Sequence, residues 1–153
     1  MISASNFIYL YFIIKSLSKI MPRAEKYLRI LLWLIAFHSL VAGILLTGLD
    51  EKGIGFFGFS GGSSFFRVQG GVFHLVMCLA YLLAASAPLK NKGLLIFIVS
   101  AKFIALAYLL LYYFIVDPIL TLLLSGLGDG FMGLLVWLLW RKASSETEKQ
   151  ISG

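Results

Sequence analysis

Four long apolar stretches alternate with short polar connections along the chain. A helix needs about 20 mostly apolar residues to cross the hydrocarbon layer of a bilayer. The apolar stretches reach that length at residues 28–48, 67–87, 94–116 and 119–140. The pattern therefore predicts an all-α integral membrane protein, a four-helix bundle formed by residues 28–142.

The second stretch divides most clearly into two faces. Inside lipid, small and polar residues mark the protein-facing side of a helix, because lipid tails are as apolar as leucine. At about 100° per residue, one face of this stretch carries Arg67, Gly70, His74, Cys78, Tyr81 and Ala85. We expect this face to point into the bundle and its leucines and valines to point toward lipid.

Small residues also mark packing faces on two other spans. On the first span they are Ala36, Ser39, Gly43 and Thr47, and on the fourth they are Gly126, Gly130 and Gly133. Such stripes let helices approach closely. His38 lies almost opposite the first stripe, an arrangement that a four-helix bundle allows if the first helix touches two neighbours. The very short turn at Asp117 and Pro118 predicts that spans three and four are antiparallel neighbours.

The segments outside the spans are interpreted separately. In residues 1–27, the apolar run 7–14 is too short to span and lysines follow it, which predicts an interfacial helix. Alternatively, residues 1–20 are an upstream extension, since the segment from Met21 resembles a natural start. The stretch 49–66 mixes glycine with phenylalanine and predicts an irregular interfacial loop. Residues 143–153 are predicted to be a polar tail.

Charge sets the expected topology. The chain has a formal net charge of +6 and is only 13% charged, against about 25% in a soluble domain. Its basic residues flank the apolar stretches instead of clustering on a soluble face, which argues against nucleic acid as a partner. Most of them lie before span one, between spans two and three, or after span four. The positive-inside rule then predicts that both termini are cytoplasmic.

Two charged residues lie within the spans. Lys102 is about nine residues from the cytoplasmic end of span three, and Asp129 about twelve from that end of span four, so their depths differ by about one turn. We expect them to pair, or Asp129 to be protonated. The pair is a candidate functional site, but alternatives remain: it only joins the two spans, or Lys102 extends to the headgroups.

The two histidines, His38 and His74, each fall near the middle of a span. Two imidazoles at one depth suit a bis-histidine haem b, which is kept as an alternative to ordinary hydrogen bonding with a carbonyl or hydroxyl. No other cofactor is predicted. No metal site is predicted either, because cysteine and carboxylate ligands are scarce near both residues.

Arg67 opens span two at the outer interface. Its guanidinium can bind a lipid phosphate, a ligand carboxylate or the neighbouring Asp50 and Glu51, or can serve as an interfacial anchor. Together with His74, Tyr81, Lys102 and Asp129 it makes up the candidate ligand-binding set. We find no nucleotide loop, nucleophile elbow or zinc-protease motif, so no catalytic residues are assigned and an enzyme is disfavoured.

The Arg67-x-x-Gly70-Gly71 start of span two, the short basic turn, the alanine-bearing span three and the acidic Asp129 early in span four resemble the small four-helix membrane families around DoxX. The nearest match is to uncharacterised domain families with R-x-x-G-G at the second helix, and BphX-like proteins are also similar. The resemblance covers residues 28–142 and implies a multi-pass bacterial inner (plasma) membrane protein. DoxX is associated with a quinol-oxidising complex, but no residue here carries that activity over.

The sequence favours an accessory or scaffold subunit, in contact with the lipid bilayer and with a larger membrane complex or further copies of itself. The alternatives are binding of a small hydrophobic ligand, a quinone or haem within the bundle, or proton-coupled transport. Four-span multidrug transporters use an acidic residue in the first span. Span one has none here, which disfavours that class.

Overall fold

The computed structural model describes residues 22–58 and 64–152, and the regular structure within them is helical throughout. The helices are α1 (Arg23–Gly48), α2 (Glu51–Phe56), α3 (Ser64–Ser86), α4 (Lys92–Ile115) and α5 (Leu120–Ser152). All but α2 are long and apolar enough to cross a membrane. The predicted all-α four-helix architecture is confirmed, and the chain is a multi-pass membrane protein. Of the predicted N-terminal segment 1–27, residues 1–21 lie outside the described residues, and residues 23–27 belong to α1, which begins five residues before the predicted start of the first span.

The end of the chain differs from the expected polar tail, because α5 continues as helix to Ser152. Its last part packs on the start of α1. Ala143 is fully buried, and a carboxylate oxygen of Glu146 accepts a hydrogen bond of 3.1 Å from the backbone N–H of Ala24. A carboxylate is stabilised by the free N–H groups and the dipole at a helix start. This contact brings the start of α1 and the end of α5 to one end of the bundle, here called the terminal end.

At the opposite end, part of the expected irregular loop is helical. The side chain of Asp50 accepts a hydrogen bond of 2.9 Å from the backbone N–H of Gly53 and so caps α2. Such a cap stabilises the first turn of a helix despite the glycines within it. Gly58, with φ of 85°, lies just after α2. This end of the molecule is called the α2 end below.

The four long helices form a ring in the order α3, α1, α5, α4. The helices α1 and α3 pack closely, as do α4 and α5, while α1 and α5 contact one another less extensively. The antiparallel pairing of α4 with α5 was predicted and is confirmed. In contrast, α3 and α4 barely touch, although only residues 87–91 connect them.

Glycines bring α1 and α3 together. A Cβ atom at Gly71 would lie 2.5 Å from Cγ2 of Thr47 and 2.9 Å from the carbonyl oxygen of Gly43. These distances are shorter than normal contacts, so no larger residue fits at position 71 without movement of a helix. The predicted small-residue stripe of α1 is therefore used against α3.

Glycines of α5 likewise allow α4 to pack closely against it. A Cβ at Gly130 would lie 2.6 Å from Cδ2 of Leu106, and a Cβ at Gly133 would lie 2.9 Å from Cβ of Lys102. Successive side chains of α4 therefore rest on successive glycines of α5. This register places Lys102 against α5 at mid-depth.

The apolar core is concentrated toward the terminal end. Its fully buried large side chains are Leu28, Leu32, Ile35, Leu95, Ile98 and Val136. Between the level of Ser39 and Lys102 and the α2 end, the buried residues among those described are glycines: Gly43, Gly71, Gly126 and Gly130. Glycine allows close backbone approach but fills little volume. Space therefore remains inside the bundle between mid-depth and the α2 end.

Candidate functional site

An ion pair lies at the centre of the bundle. The ammonium of Lys102 on α4 donates to Oδ1 of Asp129 on α5. The Lys102 side chain is 8% exposed and that of Asp129 is 20% exposed. The sequence predicted this pair, and its formation is confirmed. Lys102 does not extend to the headgroup region, because its stem lies on Gly133 and its ammonium is bound at mid-depth.

Tyr81 brings α3 to the same ion pair. The ammonium nitrogen of Lys102 lies 5.5 Å from the centroid of the Tyr81 ring, within the range of a cation–π interaction. Tyr81 itself is buried. The lysine cation is therefore stabilised both by the carboxylate of Asp129 and by the face of an aromatic ring.

His74 is positioned by Ser39 of α1. The Ser39 hydroxyl donates to the backbone carbonyl of His74 at 3.0 Å, and its oxygen lies 3.3 Å from Nδ1 of the same residue. A hydroxyl has only one proton to donate. With that proton on the carbonyl, the oxygen accepts from Nδ1–H, and Nε2 of His74 carries the free lone pair. This network places a proton on Nδ1, so that in the neutral ring Nε2 is the hydrogen-bond acceptor.

His38 lies on another side of α1, as its position opposite the small-residue stripe predicted. It is exposed and lines a cleft between α1 and α5. His74 also lines this cleft, while its Nδ1 is engaged by Ser39. Haem ligation by His38 and His74 stays a prediction.

Two clefts meet at the ion pair. The α1–α5 cleft, of about 440 Å³, extends from the level of His38 to α2. The α3–α4 cleft, of about 460 Å³, lies on the opposite side of the ring and is bordered by the exposed side chains of Phe97 and Tyr108. His74 and Asp129 line both clefts. The loose contact between α3 and α4 leaves the second cleft open along the side of the bundle.

The two clefts contain few polar groups, and apart from His74 and Asp129 each cleft has its own set. Lys102 lines only the α3–α4 cleft, together with Ser39 and Tyr81. Thr121 and Ser125 line only the α1–α5 cleft. The remaining walls are largely apolar. The arrangement offers a hydrophobic molecule one polar contact point at mid-depth, where a cation, an anion and an imidazole are all present.

Arg67 lies apart from the other predicted site residues. It is about two turns before His74 on α3, or roughly 10 Å along the helix. Its guanidinium donates to the carbonyl of Leu49 just after α1, where carbonyl groups lack partners within the helix. The structure thus brings together His74, Tyr81, Lys102 and Asp129, and gives Arg67 a contact that closes the end of α1.

Ser39 was recognised in the sequence only as a small packing residue. Its hydrogen bonds to His74 depend on the register between α1 and α3, which Gly43 and Gly71 determine. The hydroxyls of Thr121 and Ser125 were not singled out at all. Nothing in the sequence distinguishes these two residues, because a hydroxyl in an apolar helix commonly forms a hydrogen bond with the backbone of its own helix.

Within residues 22–58 and 64–152, no group of three His, Cys, Asp or Glu side chains is placed to hold a metal ion. Comparison with known proteins finds no matching family, no matching curated protein and no solved structure similar to this chain. The geometry of the clefts and of the ion pair is therefore the basis for a functional interpretation.

Proposed function

We propose that this protein binds a small hydrophobic molecule that carries one polar group, with the polar group at the Lys102–Asp129 pair. Each cleft has a volume within the range of about 300–1,000 Å³ found for small-molecule sites. Apolar walls with a few convergent polar groups are the usual composition of such sites. An opening along the side of the bundle suits a ligand that arrives from the bilayer.

The observation that carries this proposal is the ion pair at the junction of the clefts. A charged side chain at mid-membrane costs about 2.5–3.5 kcal/mol on insertion scales. Hydrophobic residues often replace a buried ion pair without loss of stability. Since α4 and α5 already pack through glycines, their association does not require charges. The position of the pair between two clefts favours a role in ligand binding.

The accessory-subunit interpretation has less support from this geometry. Its support in the sequence was the small-residue stripes, which can receive a partner helix, together with the lack of a catalytic motif and a short polar tail. The stripe of α1 is occupied by α3, and the glycines of α5 are occupied by α4. Assembly with a larger complex or with further copies stays a prediction. A quinone or haem as the bound molecule, and membership of the DoxX-like families, are likewise retained as predictions.

We further propose that the protein resides in an inner (plasma) membrane with both termini in the cytoplasm. The support is the distribution of basic residues, which are concentrated around the terminal end of the bundle in Arg23, Lys26, Arg29, Lys90, Lys92, Arg141 and Lys142. Cysteine labelling of single sites at either end, in intact cells, tests this orientation.

Ligand binding is tested with three probes that share a ten-carbon chain: decanol, decanoate and decylammonium. The full chain is placed in lipid nanodiscs, and saturable binding of each radiolabelled probe is measured. We expect at least one probe to bind at a single site. Ala105→Trp, which fills the α3–α4 cleft, should weaken that binding at least tenfold.

The matched control is Ala107→Trp, which lies on the exposed face of the same helix and adds the same side chain. It should leave binding unchanged. The absence of saturable binding for all three probes, or equal effects of the two tryptophans, would overturn the proposed site.

A further inference from the structure

We infer that the α3–α4 cleft binds the carboxylate of a single-chain amphiphile together with one proton, the anion on Lys102 and the proton on Asp129. This inference rests on the proposed ligand-binding function and specifies its ligand class. The step is an exchange of partners. The Lys102–Asp129 ion pair separates, a Lys102–carboxylate pair forms, and the Asp129 carboxylate takes up a proton from water. No other bond is made or broken.

The apolar cleft favours electrical neutrality of the site with and without the ligand. Without ligand, Lys102 and Asp129 together carry no net charge. A carboxylate that entered alone would leave one uncompensated negative charge in an apolar cleft, which is costly. Uptake of a proton by Asp129 restores neutrality. The bound state is then again one cation and one anion, with a neutral carboxyl group beside them.

A cationic ligand would require the opposite exchange, with loss of a proton from Lys102. The structure disfavours it because it stabilises the ammonium form. The stem of Lys102 lies on Gly133, and its ammonium is in contact with Asp129 and with the face of the Tyr81 ring. The lysine is thus the fixed cation of the site, which makes the exchangeable partner the anion.

The carboxylate of Asp129 can be reached by water, which delivers the proton. It is more exposed than Lys102 and lines both clefts, whereas Lys102 lines only the α3–α4 cleft. The α1–α5 cleft also carries the hydroxyl of Ser125 and that of Thr121. The Thr121 hydroxyl donates to the carbonyl of Phe57 at 2.7 Å, so its oxygen remains an acceptor for ordered water. The ligand and the proton can therefore reach the ion pair from different sides of the bundle.

The charged and titratable groups that face Asp129 come from every neighbouring long helix. They are Lys102 on α4, Tyr81 and His74 on α3, and His38 on α1. Among these, only Lys102 is a fixed cation. When Asp129 is protonated, Lys102 loses its anionic partner, and the carboxylate of the ligand takes that place.

The shape and surroundings of the cleft suit a single-chain carboxylate. Its walls are largely apolar, and its volume of about 460 Å³ is that of a small-molecule site. The basic residues around the terminal end attract anionic amphiphiles to that side of the membrane, and Tyr81 and Phe97 line the part of the cleft that faces this side. The apolar chain can lie between α3 and α4 while the carboxylate reaches Lys102.

The test measures decanoate binding and proton uptake together, with the full chain in nanodiscs and a pH indicator dye in weakly buffered solution near pH 7.5. We expect one proton to be taken up for each decanoate bound. By linkage, the affinity for decanoate should then fall about tenfold for each unit of rising pH, while Asp129 is ionised in the free protein. Protein-free nanodiscs supply the baseline for partition of decanoate into lipid.

Two substitutions separate the roles of the pair. Asp129→Asn mimics the protonated carboxyl group, so it should bind decanoate at least as tightly as the wild type, with no proton uptake and no dependence on pH. Lys102→Gln should lose at least tenfold in affinity. The controls are Asp117→Asn and Lys90→Gln, which make the same charge changes at exposed connections and should behave as wild type.

The outcomes distinguish this inference from the proposed function. Saturable binding of decanol or decylammonium without saturable decanoate binding would overturn the inference and leave the ligand site standing. Decanoate binding by the wild type without proton uptake would also overturn it, even if the variants fail to fold. Failure of all three probes would overturn the proposed function itself.

Discussion

The seam between α3 and α4 differs from the two tight seams in the bundle. The α1–α3 and α4–α5 seams have glycines wherever the backbones approach most closely. The α3–α4 seam has no such glycine contact among the described residues and holds large side chains, including Phe73, Met77, Tyr81 and Phe97. Two closely packed helix pairs therefore face each other across a looser junction. His74 and both clefts lie at this junction, and the Lys102–Asp129 pair, which joins α4 to α5, borders it.

This difference shows that a short connection does not guarantee helix packing. The turns before and after α4 are both short, yet α4 packs closely only on α5. Inside a bilayer no hydrophobic effect presses two apolar helices together, so close contact depends on small residues. Where they are lacking, an open cleft remains between the helices.

The largest expected effect on the stability of the protein comes from removal of the cation of the ion pair. Lys102→Met leaves the carboxyl group of Asp129 without its partner, which should lower the free energy of unfolding by about 3 kcal/mol. Adding Asp129→Asn to this variant should recover part of the loss, because the uncompensated charge is removed. Unfolding in mixed micelles, monitored by circular dichroism, gives both values.

Lys92→Met at the exposed start of α4 is the control for the change of residue type and should have little effect. If Lys102→Met proved as mild as this control, the ion pair would have to be accessible to water and not buried in the bundle.

A smaller effect is expected at a tight seam. Gly71→Ala places a Cβ atom 2.5 Å from Thr47 and should cost about 2 kcal/mol, since packed helices must move apart. Gly70→Ala, one residue earlier, meets no atom closer than 3.9 Å. It should be neutral or slightly stabilising, because alanine is the better helix former. Thermal unfolding of the two variants side by side measures the difference, and equal midpoints would mean that α1 and α3 do not pack through Gly71.

The smallest effect concerns the contact that joins the two helix pairs at the terminal end. Glu146→Ala removes the acceptor for the N–H of Ala24 and should cost about 0.5–1 kcal/mol, as loss of a helix cap does. Glu148→Ala, at an exposed position of the same helix, should be neutral. Hydrogen exchange at the first turn of α1 should rise only in the first variant. Equal exchange rates in both would show that Glu146 does not hold α1 and α5 together.

Part of the site could be predicted from individual helices. The depth of Lys102 and Asp129 in adjacent spans predicted their pairing, because two charges at one level of a bilayer gain most from each other. The inward face of α3 likewise predicted the position of Tyr81. In contrast, the bond between Ser39 and His74 could not be predicted, since it depends on which turn of α1 faces which turn of α3. The separate contact of Arg67 with Leu49 depends on the same register.

The sequence by itself determined the class of protein, the four spanning helices and the similar depth of their two internal charges. Each follows from the polarity of consecutive residues and from the cost of a charge in lipid, which act at the level of one helix. The tertiary structure decided the order of the helices around the ring, the continuation of α5 onto the start of α1, and the opening between α3 and α4. These depend on close contacts between distant glycines and side chains, whose fit within a few tenths of an ångström is not encoded in a pattern of apolar and polar positions.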